Sequence, residues 1–243
     1  MLHLIARYLL MNVFRLFVLI FTPILSFSVI AQTQGPVGFK YDLIASNPLA
    51  VVAAIDKYRS GDSGSNDDVS VTLHQYLANG TNPATHAIVV SYASPQVMDA
   101  ALSAQANSPT WAVFQSEMSL SAEIVSSMMW RSLGLSGGNT DVPDSPMAAG
   151  NWIFMKVDDP AAYAEAWQSM VDSQADEDRL STLLAIPADG AGGATHAVIN
   201  TARSPGSQFA PQNDQAAFAR FREEVSEIRE ITERVRLVKV KSW

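Results

Sequence analysis

Apolar and polar positions along most of the chain follow one order of elements, and that order occurs twice. Tyr41 to Ala45 is a brief apolar run of strand character, and Trp152 to Val157 is another. Each is followed by a polar residue and a proline, Asn47-Pro48 and Asp159-Pro160. This pairs an N-cap side chain with a ring whose fixed φ suits the first helical position. Beyond these pairs the apolar residues fall at helical spacing: Val51, Val52, Ile55 and Tyr58, then Tyr163, Ala166, Trp167 and Met170. The spacing predicts an amphipathic helix in each place. Acidic, loop-like stretches close both helices, at 61–68 and 173–178.

Two further strands follow in each half, separated by Asn79-Gly80 and by Asp189-Gly190, dipeptides that accept positive φ and reverse a chain. A second helix is predicted around Trp111, Phe114 and Met118, and around Phe218, Phe221, Val225 and Ile228. A last strand is clearest from Val235 to Lys241. The two halves also align residue by residue. Thr72 to Pro95 set above Thr182 to Pro205 gives ten identities in 24 positions, with Ala84-Thr85-His86-Ala87 repeated intact as Ala194-Thr195-His196-Ala197. The phase drifts little on either side: Asn47-Pro48 matches Asp159-Pro160, and Phe114, Glu117, Ser119, Glu123 and Ile124 match Phe221, Glu224, Ser226, Glu230 and Ile231. Colinear matches over three segments indicate a tandem duplication.

The order within each copy is β-α-β-β-α-β, so the expected fold class is α+β: two tandem ferredoxin-like units. Repeat one spans 32–133 and repeat two 151–243, joined by a linker over 134–150 rich in Gly, Ser, Pro and Asp. A four-stranded sheet with helices on one face leaves the other face uncovered. The two sheets are therefore expected to meet face to face or to close into a barrel.

The run Ala84-Thr85-His86-Ala87-Ile88-Val89-Val90-Ser91-Tyr92, then Ser94-Pro95 and Ser108-Pro109-Thr110-Trp111-Ala112-Val113-Phe114, resembles the dimeric α+β barrel superfamily. That group includes antibiotic-biosynthesis-monooxygenase-like and stress-responsive-barrel-like proteins. The resemblance implies an intramolecular pseudo-dimer, with a small pocket between each sheet and its helices. Some relatives oxidise aromatic polyketides without a cofactor, others bind haem, and others have no known activity, so the resemblance implies a fold and not a reaction. The second copy departs from the pattern, with Pro205-Gly206-Ser207 and Pro211-Gln212-Asn213 where a short helix should follow the third strand.

The first 31 residues read as an address. They carry Arg7 and Arg15, no acid, an apolar run from Leu16 to Ile30, and small residues before a cleavage point after Ala31. This is the pattern of a secretory signal peptide, with Met1 or Met11 as its start; the alternative is an uncleaved anchor. A periplasmic or secreted protein is expected, with no further membrane segment. The formal net charge of −8 argues against nucleic acid as a partner, since phosphate binding needs clustered Lys and Arg. The absence of cysteine excludes disulfides, iron–sulfur clusters, thiolate zinc sites and a cysteine nucleophile.

The chemistry-bearing candidates are few. His86 and His196 are equivalent by repetition, and each lies on a strand face with apolar neighbours. Each is a candidate general base or a polariser of a carbonyl, and each is also the kind of buried histidine that a duplicated core retains. Tyr92, Trp111 and Asn200 are candidate ligand contacts. No metal site is expected from the histidine spacing, and no cofactor is called for. Gly61-Asp62-Ser63-Gly64 resembles the surroundings of a protease serine, but His3 is the only histidine upstream of it. Asp62-x-Gly64-x-Asn66 starts like a calcium loop, yet Asp67 stands where glycine is required. The mixed signs of the terminal 220–241 segment suit an exposed helix face followed by a strand. Two readings follow: binding, with or without cofactor-free turnover, of a small and largely apolar molecule, or a non-catalytic structural or interaction protein. Either a monomeric pseudo-dimer or a homo-oligomer is compatible with the pattern.

Overall fold

The computed structural model describes residues 35–61, 64–174, 176–189, 192–210 and 214–243; the expected signal peptide and the Asp62-Ser63 loop lie outside these. Eight strands form one closed antiparallel barrel in the order β1-β3-β2-β8-β5-β7-β6-β4. They are β1 (Val37–Ala45), β2 (Val69–Ala78), β3 (His86–Tyr92), β4 (Ala122–Gly138), β5 (Ala149–Val157), β6 (Arg179–Ala188), β7 (His196–Ala202) and β8 (Arg229–Ser242). The strands of the first half stand in the order 4-1-3-2 and those of the second in the order 8-5-7-6. The joints are β2 on β8 and β6 on β4. Each half would otherwise end in unpaired edge strands, and closure satisfies the backbone groups on both.

Among the described residues, five α-helices accompany the barrel: α1 (Pro48–Arg59), α2 (Pro95–Ala106), α3 (Pro109–Ser119), α4 (Pro160–Asp172) and α5 (Gln215–Glu224). Every one begins with a side-chain cap. Asn47, Ser94, Ser108, Asp159 and Asp214 each accept a hydrogen bond from the backbone N–H three residues on. Four of the five have proline at the first helical turn. These are local reasons for helices to start where they do.

Strand alternation assigns the faces. In the first half Leu43, Leu73 and Ile88 pack outward beneath Val51 and Ile55 of α1, with Phe114 and Met118 of α3 against them. In the second, Met155, Val157, Leu183 and Val198 pack outward beneath Tyr163, Trp167 and Val171 of α4 and Phe221 of α5. Inward residues from both halves make a third cluster, including Tyr76, Ala87, Met128, Trp152, Phe154, Ile186 and Leu237, which fills one end of the barrel.

The stretch read from composition as a linker, 134–150, contributes the end of β4 and the start of β5, so the connection itself is 139–148. Its glycines have a packing reason. A Cβ on Gly137 would lie 1.9 Å from Val171 Cγ1, and Gly138, at φ +101°, would place one 2.1 Å from the Arg179 carbonyl. These two positions let β4 run on past the first half and pass close under α4.

Candidate functional site

The outward face of the second half is not fully covered. Among the described residues, its third strand is followed by a 3-10 turn, Gly206–Phe209, where the first half has the twelve-residue helix α2. A cleft of about 580 Å³ remains between the sheet and α4 and α5, within the range of small-molecule sites. Its floor is apolar. Tyr163, Trp167 and Met170 rise from one face of α4, Phe218 and Phe221 come from α5, and Met155 and Val198 come from the strands. The Tyr163 and Phe221 rings meet edge to face at 5.7 Å.

A row of polar side chains crosses this floor. Asn151, Asn200 and Ser181 are direct register partners on β5, β7 and β6, and the Ser181 hydroxyl donates to Asn200 Oδ1 at 2.7 Å. Arginines surround the row. Arg229 and Arg234 project from β8, Arg222 from α5 and Arg179 from β6. Arg179 is held by Asp176 at 3.4 Å and by the carbonyls of Ser207 and Ala210. Arg229 lies 5.5 Å from the centre of the Phe221 ring. Among the described residues, Arg222, Arg229 and Arg234 form no ion pair. Burial raises the Tyr163 hydroxyl above its ordinary pKa, opposed by the adjacent Arg229 guanidinium, so it stays protonated. The Gln208 side-chain amide is buried in the same cleft with no hydrogen bond from its Nε2. The arrangement offers an aromatic seat, a row of neutral hydrogen-bonding groups and three guanidinium groups, those of Arg222, Arg229 and Arg234, without carboxylate partners among the described residues.

Of the five residues singled out from the sequence, Asn200 lines this cleft. His86 and His196 are the first residues of β3 and β7, buried and facing the helices. In each, Nδ1 lies 2.9 Å from the hydroxyl of the preceding threonine, Thr85 or Thr195. Those threonines also accept the backbone N–H of Ala45 or Val157, so each Thr-His pair ties the start of one strand to the end of its neighbour. Burial lowers both histidine pKa values, and Arg131 adds to the effect at His196. Neither histidine lines the cleft or the barrel interior. Tyr92 is buried at the end of β3 with its ring 6.3 Å from Phe39. Trp111 packs on Tyr58 and Phe114, at 5.2 and 5.0 Å, in the filled outer layer of the first half. Among the described residues no group of three or more His, Asp or Glu is placed to hold a metal ion.

The β8 arginines, which in sequence look like exposed charge, and His74 are the site residues that the pattern of the chain does not mark. The signal for Arg234 and Arg236 is their alternation with Val235 and Leu237, which puts both guanidinium groups on one face of a strand.

By sequence, no protein-family profile and no curated protein matches the chain. By structure it is similar to a proposed monooxygenase of Fusobacterium nucleatum subsp. nucleatum, with a TM-score of 0.59 and 12% identity over 86% of this chain and 94% of that one. It is similar also to a proposed monooxygenase of Lactobacillus acidophilus (TM-score 0.54, 8% identity, 85% and 94% covered) and to an anthrone oxidase-like protein (0.55, 13%, 87% and 94%). At such identities the likeness is one of fold. The chain is an α+β barrel of the kind these proteins share.

Proposed function

We propose that this protein is an exported α+β barrel, built by duplication of a ferredoxin-like unit, that binds a small organic molecule with an apolar body and an anionic group in the outer cleft of its second half. The observation that carries the reading is the cleft itself, an aromatic floor beside three arginines that form no ion pair among the described residues, in a chain of net charge −8. Guanidinium groups favour carboxylate or phenolate oxygens, and an aromatic floor favours a flat apolar body. The names of the structurally similar proteins, monooxygenase and anthrone oxidase-like, agree with an organic ligand.

Binding without turnover is favoured by one further observation. His86 and His196 bond to neighbouring threonines and do not face the cleft, so they serve as strand-end ties. The test is native mass spectrometry of the protein from an exporting host, beside a denatured control. The expected result is a chain beginning at Gln32 that carries a stoichiometric extra mass, lost in Arg229→Gln/Arg234→Gln. An extra mass retained in full by that variant overturns the cleft as its site, and a chain that keeps residues 1–31 overturns cleavage.

A further inference from the structure

The barrel has an interior of its own, separate from the outer cleft. A chamber of about 490 Å³ runs down the axis. Its mouth is ringed by hydroxyls at the open strand ends, among them Ser70, Thr72, Ser132, Thr182 and Thr201. Its far end is closed by the apolar cluster around Tyr76, Phe154 and Ile186. Between mouth and plug stand two tryptophans, Trp130 and Trp152, and a group of basic side chains, Lys40, His74 and Lys239.

This basic group has no counterpart across the barrel. Register pairing places Leu184 where the first half has His74, since both oppose the equivalent alanine of the next strand, Ala87 or Ala197. By the same correspondence Trp152 and Phe154 stand for Lys40 and Asp42, and Ser132 stands for Lys239. The apolar set shows what this barrel can pack at such positions, and the charged set is the costlier choice. Lys40 and Asp42 are each only 2% exposed and pair at 2.5 Å. Asp42 is further satisfied by the Tyr76 and Ser126 hydroxyls, each at 2.6 Å. A buried pair of this kind adds little stability over a well-packed apolar one.

Beside it, His74 Nδ1 is buried and has no hydrogen bond. Its strand partner is Lys239, whose ammonium donates to the Pro143 carbonyl at 2.6 Å and forms no ion pair among the described residues. The Trp152 ring meets His74 edge-on at 5.6 Å. A histidine with one unsatisfied buried nitrogen, a cation without a carboxylate among the described residues and two indoles therefore line one chamber. The acid on its rim, Asp144, is exposed to water.

We infer that the barrel interior is a second binding site, for an aromatic carboxylate whose acid group meets His74 and Lys239 and whose ring lies against Trp130 and Trp152. The hydroxyl-ringed mouth lets such an ion enter while still partly hydrated. The Lys239 ammonium and the His74 imidazole then replace its water, and the indoles take the apolar part.

The probe is 2-naphthoate, titrated into the full chain while the indole N–H resonances of the tryptophans are followed. The expected result is saturable movement of Trp130 and Trp152. In His74→Leu/Lys239→Ser, which installs the residues the other half already carries, affinity at these two reporters falls about tenfold or more, the worth of one charge-assisted hydrogen bond. Unchanged Trp111 and Trp243 resonances in the free variant certify its fold. Arg229→Gln/Arg234→Gln, which acts on the outer cleft and its reporter Trp167, leaves the Trp130 and Trp152 response unaltered. The inference is overturned if those two resonances stay still, if they respond only together with Trp167 and are lost in the arginine variant, or if the His74/Lys239 variant binds as tightly as the wild type.

Discussion

The two halves of this barrel share a strand order and divide their polar groups in opposite ways. In 37–138 the outer face is closed by α1, α2 and α3, and the charge is inside: Lys40, Asp42 and His74 point into the lumen. In 149–242 the equivalent inward places hold Trp152, Phe154, Leu184 and Ile186, Lys239 is the cation this half adds to the lumen, and its arginines line an open outer cleft. One helix accounts for much of the outer difference. Where α2 runs for twelve residues from Pro95, the chain after the equivalent Pro205 carries Gly206 and winds only into the Gly206–Phe209 turn. The lesson is that a shared scaffold constrains backbone pairing far more than it constrains which face receives polar side chains.

The largest test of this contrast is the buried pair. Asp42→Ala strands the Lys40 ammonium in the interior, and an equilibrium urea titration is expected to show a loss of about 3–5 kcal/mol. Lys40→Met/Asp42→Leu, which moves the first half toward the apolar character of the second, is expected to be neutral or stabilising. A small effect of Asp42→Ala alone breaks the contrast, because it means the lysine is already hydrated.

Next come two glycines that correspond by register, Gly38 and Gly150. A Cβ on Gly38 meets the Val90 carbonyl at 1.9 Å, a backbone atom that cannot step aside; on Gly150 the closest atoms belong to the Trp152 side chain. Gly38→Ala is expected to cost about 3 kcal/mol and Gly150→Ala about 1 kcal/mol, measured the same way. Equal costs would show that the two halves yield alike.

The third test uses pH. Burial holds His74 down to about 4, with Lys239 and Lys40 adding to the effect, while Asp42 is engaged by Lys40. In the unfolded chain the same imidazole titrates near 6.5. The folded state therefore binds fewer protons in this window, and stability declines as the pH falls from about 7 toward 4. His86 and His196 act in the same direction. His74→Leu is expected to flatten part of this slope in thermal melts across that range, and an unchanged slope would count against the buried placement of His74.

The smallest expected effect is symmetric. His86→Gln and His196→Gln each lose one Thr–His contact, so each is expected to cost about 1 kcal/mol. Neither should alter any mass carried by the protein in native spectra. A selective effect of His196→Gln on that mass would return this histidine to the site.

Much of the fold was legible because its causes are local. Asn47-Pro48, Ser108-Pro109 and Asp159-Pro160 cap helices within a single turn of chain, and alternation along Val235 to Lys241 marks a strand without reference to its neighbours. The repeated Ala-Thr-His-Ala block was equally plain, and it lands at the same register in both halves. The site was less legible. Asn200 lines the outer cleft, whereas Tyr92 and Trp111 are packed in the filled layer of the first half, although they are the same kinds of residue that line the open one.

Composition, capping and periodicity determined the kinds of element, their order and the pairing of like with like between the halves, since each depends on residues close in the chain. Tertiary structure alone decided which polar side chains became neighbours. His74 gains Lys239 as a partner only when β2 meets β8 at the barrel seam, and Asn151, Asn200 and Ser181 form a row only across three strands. Those contacts join residues far apart in sequence, and burial assigns their chemistry only after the barrel has closed.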